Sequence, residues 1–150
     1  MNEASIVQYL TGAFEGIDIA VSSGDSFFFY DPGQDQPKDQ RFPFATLVTG
    51  DTYDTFSNLS RPDVFRLNIG VSRQIFRSLF ELPESALETE EPTRDFTALD
   101  RIMPHPVYGK MFWVCVLNPS ESTFEKVKPL LAEAYGQAAA RHAKKGAADW

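Results

Sequence analysis

Cysteine occurs once and histidine twice in this chain of 150 residues. A lone Cys115 cannot close an internal disulfide, which suits a reducing compartment. One thiol and two imidazoles cannot complete a structural zinc site without carboxylates, and no Cys-x-x-Cys or His-Glu-x-x-His spacing occurs. Asp31, Asp35 and Asp39 stand four apart, unlike the alternate oxygens of a calcium loop. Neither a metal nor a cofactor is therefore expected. Also missing are the Gly-x-Ser-x-Gly elbow, the P-loop and the Gly-x-Gly-x-x-Gly fingerprint, which sets aside the easily recognised hydrolases and nucleotide binders. No apolar run nears the ~20 residues of a membrane span. The longest, Met111 to Leu117, is of strand length. The opening Met1-Asn2-Glu3-Ala4 has neither the basic nor the apolar region of a signal peptide. The expectation is a cytoplasmic protein without membrane attachment. Basic residues number 14 against 21 acidic ones, a net charge of −7, which argues against nucleic acid as a partner.

What the chain does have is core material: 43% hydrophobic residues, with 13 phenylalanines. That is ample for one packed domain over residues 1–150. Ile6, Val7, Leu10, Ala13 and Phe14 recur at helical spacing, so residues 3–14 read as an amphipathic helix closed near Gly16. Ile17, Ile19 and Val21 alternate as a strand does. Phe27-Phe28-Phe29-Tyr30 reads as a second strand buried on both faces, and Phe42 to Thr49 as a third. Turn residues join these strands, and an antiparallel meander follows.

The clearest period-two pattern is Phe65-Arg66-Leu67-Asn68-Ile69-Gly70-Val71, with Arg66 and Asn68 opposite an apolar face. Ser72 stands where it can cap a helix striped with Ile75, Phe76, Leu79 and Phe80. Residues 81–94 carry five glutamates and two prolines and read as an acidic mobile loop. Met111 to Leu117 reads as a central strand that Asn118-Pro119 ends. Ser122 and Glu125 then have capping-box spacing for a final helix, broken or kinked at Pro129 and fraying over residues 146–150. Helices placed at the ends and middle of a meander most economically cover one face of one antiparallel sheet, an α+β two-layer domain.

The blocks Gly24 to Pro32, Arg41 to Thr46, Phe65 to Ile69 and Met103 to Tyr108 resemble an uncharacterised bacterial family known as a domain of unknown function. More distantly, Trp113 on a strand, followed by a helix with Leu130, Leu131 and Tyr135, is similar to MmcQ/YjbR-like proteins. That resemblance implies a frataxin-like α+β fold and carries a suggestion of DNA binding. It transfers no catalytic residues. Frataxin-type iron binding is not implied either, because the first helix region offers only Glu3 and Glu15.

Three groups of residues are candidates for function. His105 lies between Pro104 and Pro106, which stiffen the backbone, and Tyr108 follows; together they read as a His/Tyr lip able to move a proton, or as a Pro-rich connection whose His caps a backbone group. Arg41, near Tyr30, Asp25 and Asp31 in the folded meander, reads as an Arg–carboxylate pair closing a loop, or as a fork for an anionic ligand. Arg66 and Asn68 read as a solvated sheet face, or as a docking surface for a peptide, nucleotide or partner. Cys115, between two valines, reads as inert core. The function expected is a small binding or interaction module for a small molecule or protein, its ligand surface at Tyr30, Arg41, Arg66, Asn68, His105 and Tyr108. Two rivals stand beside it. One is an enzyme with His105 as general acid/base, which requires a carboxylate or hydroxyl within hydrogen-bond reach of the ring. The other is a DNA-binding protein, with Arg141, Lys144 and Lys145 clustered on the final helix and Arg61, Arg66, Arg73 and Arg77 spread through the middle, which the net charge of −7 and acidic residues throughout do not favour.

Overall fold

A computed structural model describes residues 1–33, 41–80 and 95–148. The acidic stretch 81–94 lies outside them, as do residues 34–40 with Asp35 and Asp39, and Asp149 and Trp150 of the tail. Six strands form one sheet: β1 (Ile17–Ser22), β2 (Asp25–Tyr30), β3 (Ala45–Val48), β4 (Arg66–Gly70), β5 (Met103–Pro104) and β6 (Trp113–Leu117). Their spatial order is β1-β2-β3-β4-β6-β5, and every pair is antiparallel. Among the described residues three helices, α1 (Glu3–Ala13), α2 (Arg73–Phe80) and α3 (Glu121–Ala148), complete the α+β domain.

Strand parity decides which side chains meet the helices. Ile19 stands opposite Phe28, Phe28 opposite Ala45, Ala45 opposite Ile69 and Ile69 opposite Val114, so these share one face. On that face they form the main core with Ile6 and Leu10 of α1, Phe76 of α2, and Phe124, Val127 and Leu131 of α3. The other face carries Phe27, Thr46, Asn68 and Cys115 in one cross-strand row and Val48, Arg66 and Leu117 in the next. The expected meander and single helical layer are both observed.

The differences are local. Arg66 and Asn68 do not look into solvent; they are 1% and 3% exposed. The segment between β3 and β4 folds over their end of the sheet, dropping Leu59 into a second small core with Val48, Met103, Cys115 and Leu117. Asp51 accepts the Leu59 N–H at 2.8 Å, and Arg61 donates to the carbonyls of Ser57 and Thr97 at 3.0 Å each, which ties the cover down. Strand β6 starts two residues later than the apolar run suggests, because Gly109–Met111 form a 3₁₀ turn and Phe112 adopts φ 66°. The third strand is likewise shorter than Phe42 to Thr49.

The cap of α3 is Ser120 rather than Ser122. Its Oγ accepts the Thr123 N–H at 3.2 Å, and Glu121 is already helical. The pattern Ser-x-Ser-x-x-Glu offers two frames, and Asp100, which accepts the Ser120 N–H at 2.7 Å, anchors the earlier one. Ser120→Ala is expected to cost about 1 kcal/mol in urea denaturation and Ser122→Ala to stay within about 0.5 kcal/mol. Equal effects would contradict this assignment. Ser72 caps α2 as its position suggests, accepting the Ile75 N–H at 3.2 Å.

Candidate functional site

Four of the six candidate ligand residues converge. Arg66 and Asn68 come from β4, His105 from the residue after β5, and Tyr108 from the turn before β6. All four line a cavity of about 350 Å³ on the face of the sheet away from the helices. Its floor also holds Thr46 of β3 and Asp54 of the covering segment; its walls are Phe42, Tyr53, Tyr108, Met111 and Trp113. Gly70 sets one wall. A Cβ there would stand 2.9 Å from Cε2 of Trp113, so a bare glycine lets the indole lie across the neighbouring strand.

The floor is a connected polar network. Arg66 donates to both Asp54 oxygens, from Nη1 at 3.0 Å and from Nη2 at 2.7 Å. It donates further to Ser57 Oγ and, through Nε, to Asn68 Oδ1, each at 3.0 Å. Asn68 Nδ2 in turn donates to Thr46 Oγ1 at 2.9 Å. The Arg66 and Asp54 side chains are 2% and 6% exposed, so this is a buried, bidentate ion pair. Burial pushes the Asp54 carboxyl up, but the hydrogen bonds and charge of Arg66 outweigh it and hold Asp54 below its ordinary value.

His105 is 5% exposed and its tautomer follows from its contacts. Nδ1 accepts the backbone N–H groups of Val107 and Tyr108, both at 3.0 Å, and so carries no proton. The proton sits on Nε2, which is not among the sealed polar atoms without a partner. Among the described residues no side chain hydrogen-bonds the ring; the Tyr108 ring packs beside it at 5.0 Å. The carboxylate or hydroxyl orienter that a general base needs is thus not in place. Burial first, then the charge of Arg66, pushes His105 from its ordinary 6.5 to about 3, against a smaller pull from Asp54. A base so weak is poorly matched to neutral pH. The ring is a neutral hydrogen-bond donor instead.

The depressed value has a consequence for stability. As pH falls through 6.5 an unfolded chain protonates His105, whereas the folded protein resists until about 3. The native state therefore loses stability as pH falls across that window, at up to about 1.4 kcal/mol per pH unit for this one proton. His105→Asn, whose Oδ1 can accept the same backbone donors, is expected to flatten the slope of stability between pH 6.5 and 4.5. A His105 ring that titrates near 6.5 in ¹⁵N NMR spectra would refute this.

The other two candidates lie elsewhere. Arg41 pairs with Asp31 at 3.1 Å and with Asp18, and its guanidinium carbon lies 4.1 Å over the Phe29 ring. It closes the loop after β2 as the structural alternative has it, with Asp18 as an added partner. Asp25 takes no part: its Oδ1 accepts the Thr49 N–H at 2.8 Å. Tyr30 points to the helical face, edge-on to Tyr135 at 5.3 Å and His142 at 5.2 Å. It lies across the sheet from the cavity because Tyr30 and Phe28 share the core parity. Cys115 is fully buried. Among the described residues no group of three His, Cys, Asp or Glu side chains could hold a metal, and no helix is long and apolar enough to cross a membrane.

Sequence reasoning missed Asp54, Thr46, Tyr53 and the site role of Trp113. Thr46 had a readable signal, since it is a lone hydroxyl within an apolar strand and pairs in register with Asn68. Asp54 had none; its place depends on how the β3–β4 segment folds back. The model of a family described as a family of unknown function (DUF6194) matches residues 1–147. No curated protein and no solved structure matches the chain.

Proposed function

The chain belongs to that family of unknown function, whose description assigns no activity, and from the geometry of the sheet face away from its helices we propose that it is a small-molecule-binding module. The observation that carries this reading is the convergence of Arg66, Asn68, His105 and Tyr108, from separate stretches of chain, on one cavity of about 350 Å³. That volume falls within the range of small-molecule sites, and the lining follows their usual plan of aromatic walls around a few converging polar groups. The ligand surface of this proposal comprises those four residues with Thr46 and Trp113; Arg41 and Tyr30 are left out because their partners are internal.

Two of the arginines that the DNA-binding reading would need are engaged within the fold. Arg66 is enclosed with Asp54, and Arg61 is spent on the carbonyls of Asn58, Ser57 and Thr97. Kinship with MmcQ/YjbR-like proteins, a bacterial source and a cytoplasmic setting complete the proposal. The first rests on the Trp113, Leu130, Leu131 and Tyr135 pattern, the second on the resemblance of the blocks from Gly24, Arg41, Phe65 and Met103, and the third on a lone, buried Cys115.

A small-molecule screen read by ¹H–¹⁵N spectra tests the function. Hits are expected to move the Trp113 indole and Tyr108 amide signals together, and a cavity-filling Thr46→Phe variant that remains folded is expected to abolish them. Hits that cluster around Arg41 and Tyr30 instead would overturn the assignment.

A further inference from the structure

Among the described residues, the floor of the cavity is rich in hydrogen-bond donors and has no uncompensated charge. Arg66 carries five N–H groups, of which four are engaged by Asn68, Ser57 and the two oxygens of Asp54, leaving one hydrogen on Nη2. Asn68 Nδ2 uses one of its two hydrogens on Thr46 Oγ1. That hydroxyl then has its own hydrogen to give, and His105 offers Nε2–H. Among the described residues these four donors have no acceptor, and all belong to side chains that line the one cavity.

Among the described residues of the floor, Arg66 is the one cation and Asp54 the one anion, and they cancel. An ionised ligand of either sign would shed its hydration without finding an unpaired opposite charge, and would lie beside a like one. A neutral ligand meets no such cost. The walls favour flat faces: Tyr108, Tyr53, Phe42 and Trp113 are aromatic, and Met111 adapts to whatever lies on it.

Resting on the binding function above, we propose that the cavity selects an uncharged aromatic carbonyl compound over ions of similar shape, its oxygen seated among the donors of Asn68, Thr46, His105 and Arg66. The geometry gives the carbonyl oxygen, which accepts two hydrogen bonds, a choice of these donors. It gives the ring a place against Trp113 and Tyr108. Substituents that bear a second acceptor add affinity, and substituents that bear only donors do not.

Three probes of nearly equal shape test this: benzamide, benzoate and benzylammonium, titrated separately and followed by the side-chain signals of Asn68 and Trp113. Benzamide is expected to bind at least about tenfold more tightly than either ion. His105→Asn, which keeps the turn but loses Nε2–H, is expected to weaken benzamide about fivefold, the effect of one hydrogen bond. Benzoate or benzylammonium binding as tightly as benzamide at the same signals would overturn the selectivity and leave the binding site standing. No probe moving those signals at any attainable concentration would overturn both. An unchanged benzamide affinity in the folded His105→Asn variant would remove His105 from the donor set and, with it, the seat assigned to the oxygen.

Discussion

Replacing Arg66 with methionine is expected to lower stability by about 3–5 kcal/mol, which for a domain of this size is a large part of the whole. The loss comes less from the arginine than from what it leaves behind. Asp54, 6% exposed, would keep a buried carboxylate with no counter-charge, and Ser57 and the Asn68 carbonyl would each lose a donor. Arg66→Lys is expected to rescue little, because a single ammonium cannot span both carboxylate oxygens and still reach Asn68. Arg66→Met combined with Asp54→Leu is expected to recover much of the loss, since exchanging both partners leaves no orphaned charge. Urea denaturation of the four proteins decides the matter. A single Arg66→Met variant that loses less than about 1 kcal/mol would show the pair to be solvated rather than enclosed.

Phe28→Ala is expected to cost about 3–5 kcal/mol, and the neighbouring Phe27→Ala well under half of that. Phe28 is wholly buried in the main core, beside Ile19 and Ala45 across the strands and beneath the helical layer. Truncation there opens a hole that the sheet and the helices packed on it would have to close. Phe27 points the other way, toward the Tyr53 ring at 6.1 Å, and is only partly covered. Two adjacent phenylalanines thus differ in effect because period-two geometry sends them to opposite faces. Equal losses in thermal and urea denaturation would mean that the sheet face bearing Phe27 is packed as tightly as the helical one.

Parity explains how much of the site could be read beforehand. The alternation of Phe65, Leu67 and Ile69 with Arg66 and Asn68 placed the two polar residues correctly on the face away from the helices. Their burial could not be read the same way. It depends on Leu59 tucking under and on Asp54 arriving opposite a guanidinium twelve residues on, and nothing in the composition of that segment distinguishes it from a solvated loop. Arg41 shows the reverse case. Its closeness to Asp31 along the meander was legible, whereas Asp18 joins only because β1 pairs with β2 in the register that sets Asp18 beside Phe29, under the same guanidinium.

His105 and its flanking prolines announced a stiff segment, and the capping reading of the ring is the one observed, with Nδ1 accepting two backbone N–H groups. The short strand β5 was not visible, being two residues long and containing a proline. Yet it is β5, paired with β6, that carries His105 to the cavity, with the His105 N–H donating to the Trp113 carbonyl at 2.9 Å.

The amino-acid sequence by itself determined the α+β class, the meander, the helical layer and the two faces of β4, because these follow from local periodicity and short connections. Only the tertiary structure decided that Arg66 and Asn68 are enclosed and that His105, Tyr108 and Trp113 face one cavity. It also decided that Tyr30 and Arg41 belong elsewhere. Those outcomes depend on contacts between segments far apart along the chain, made by residues whose local pattern is indifferent to them.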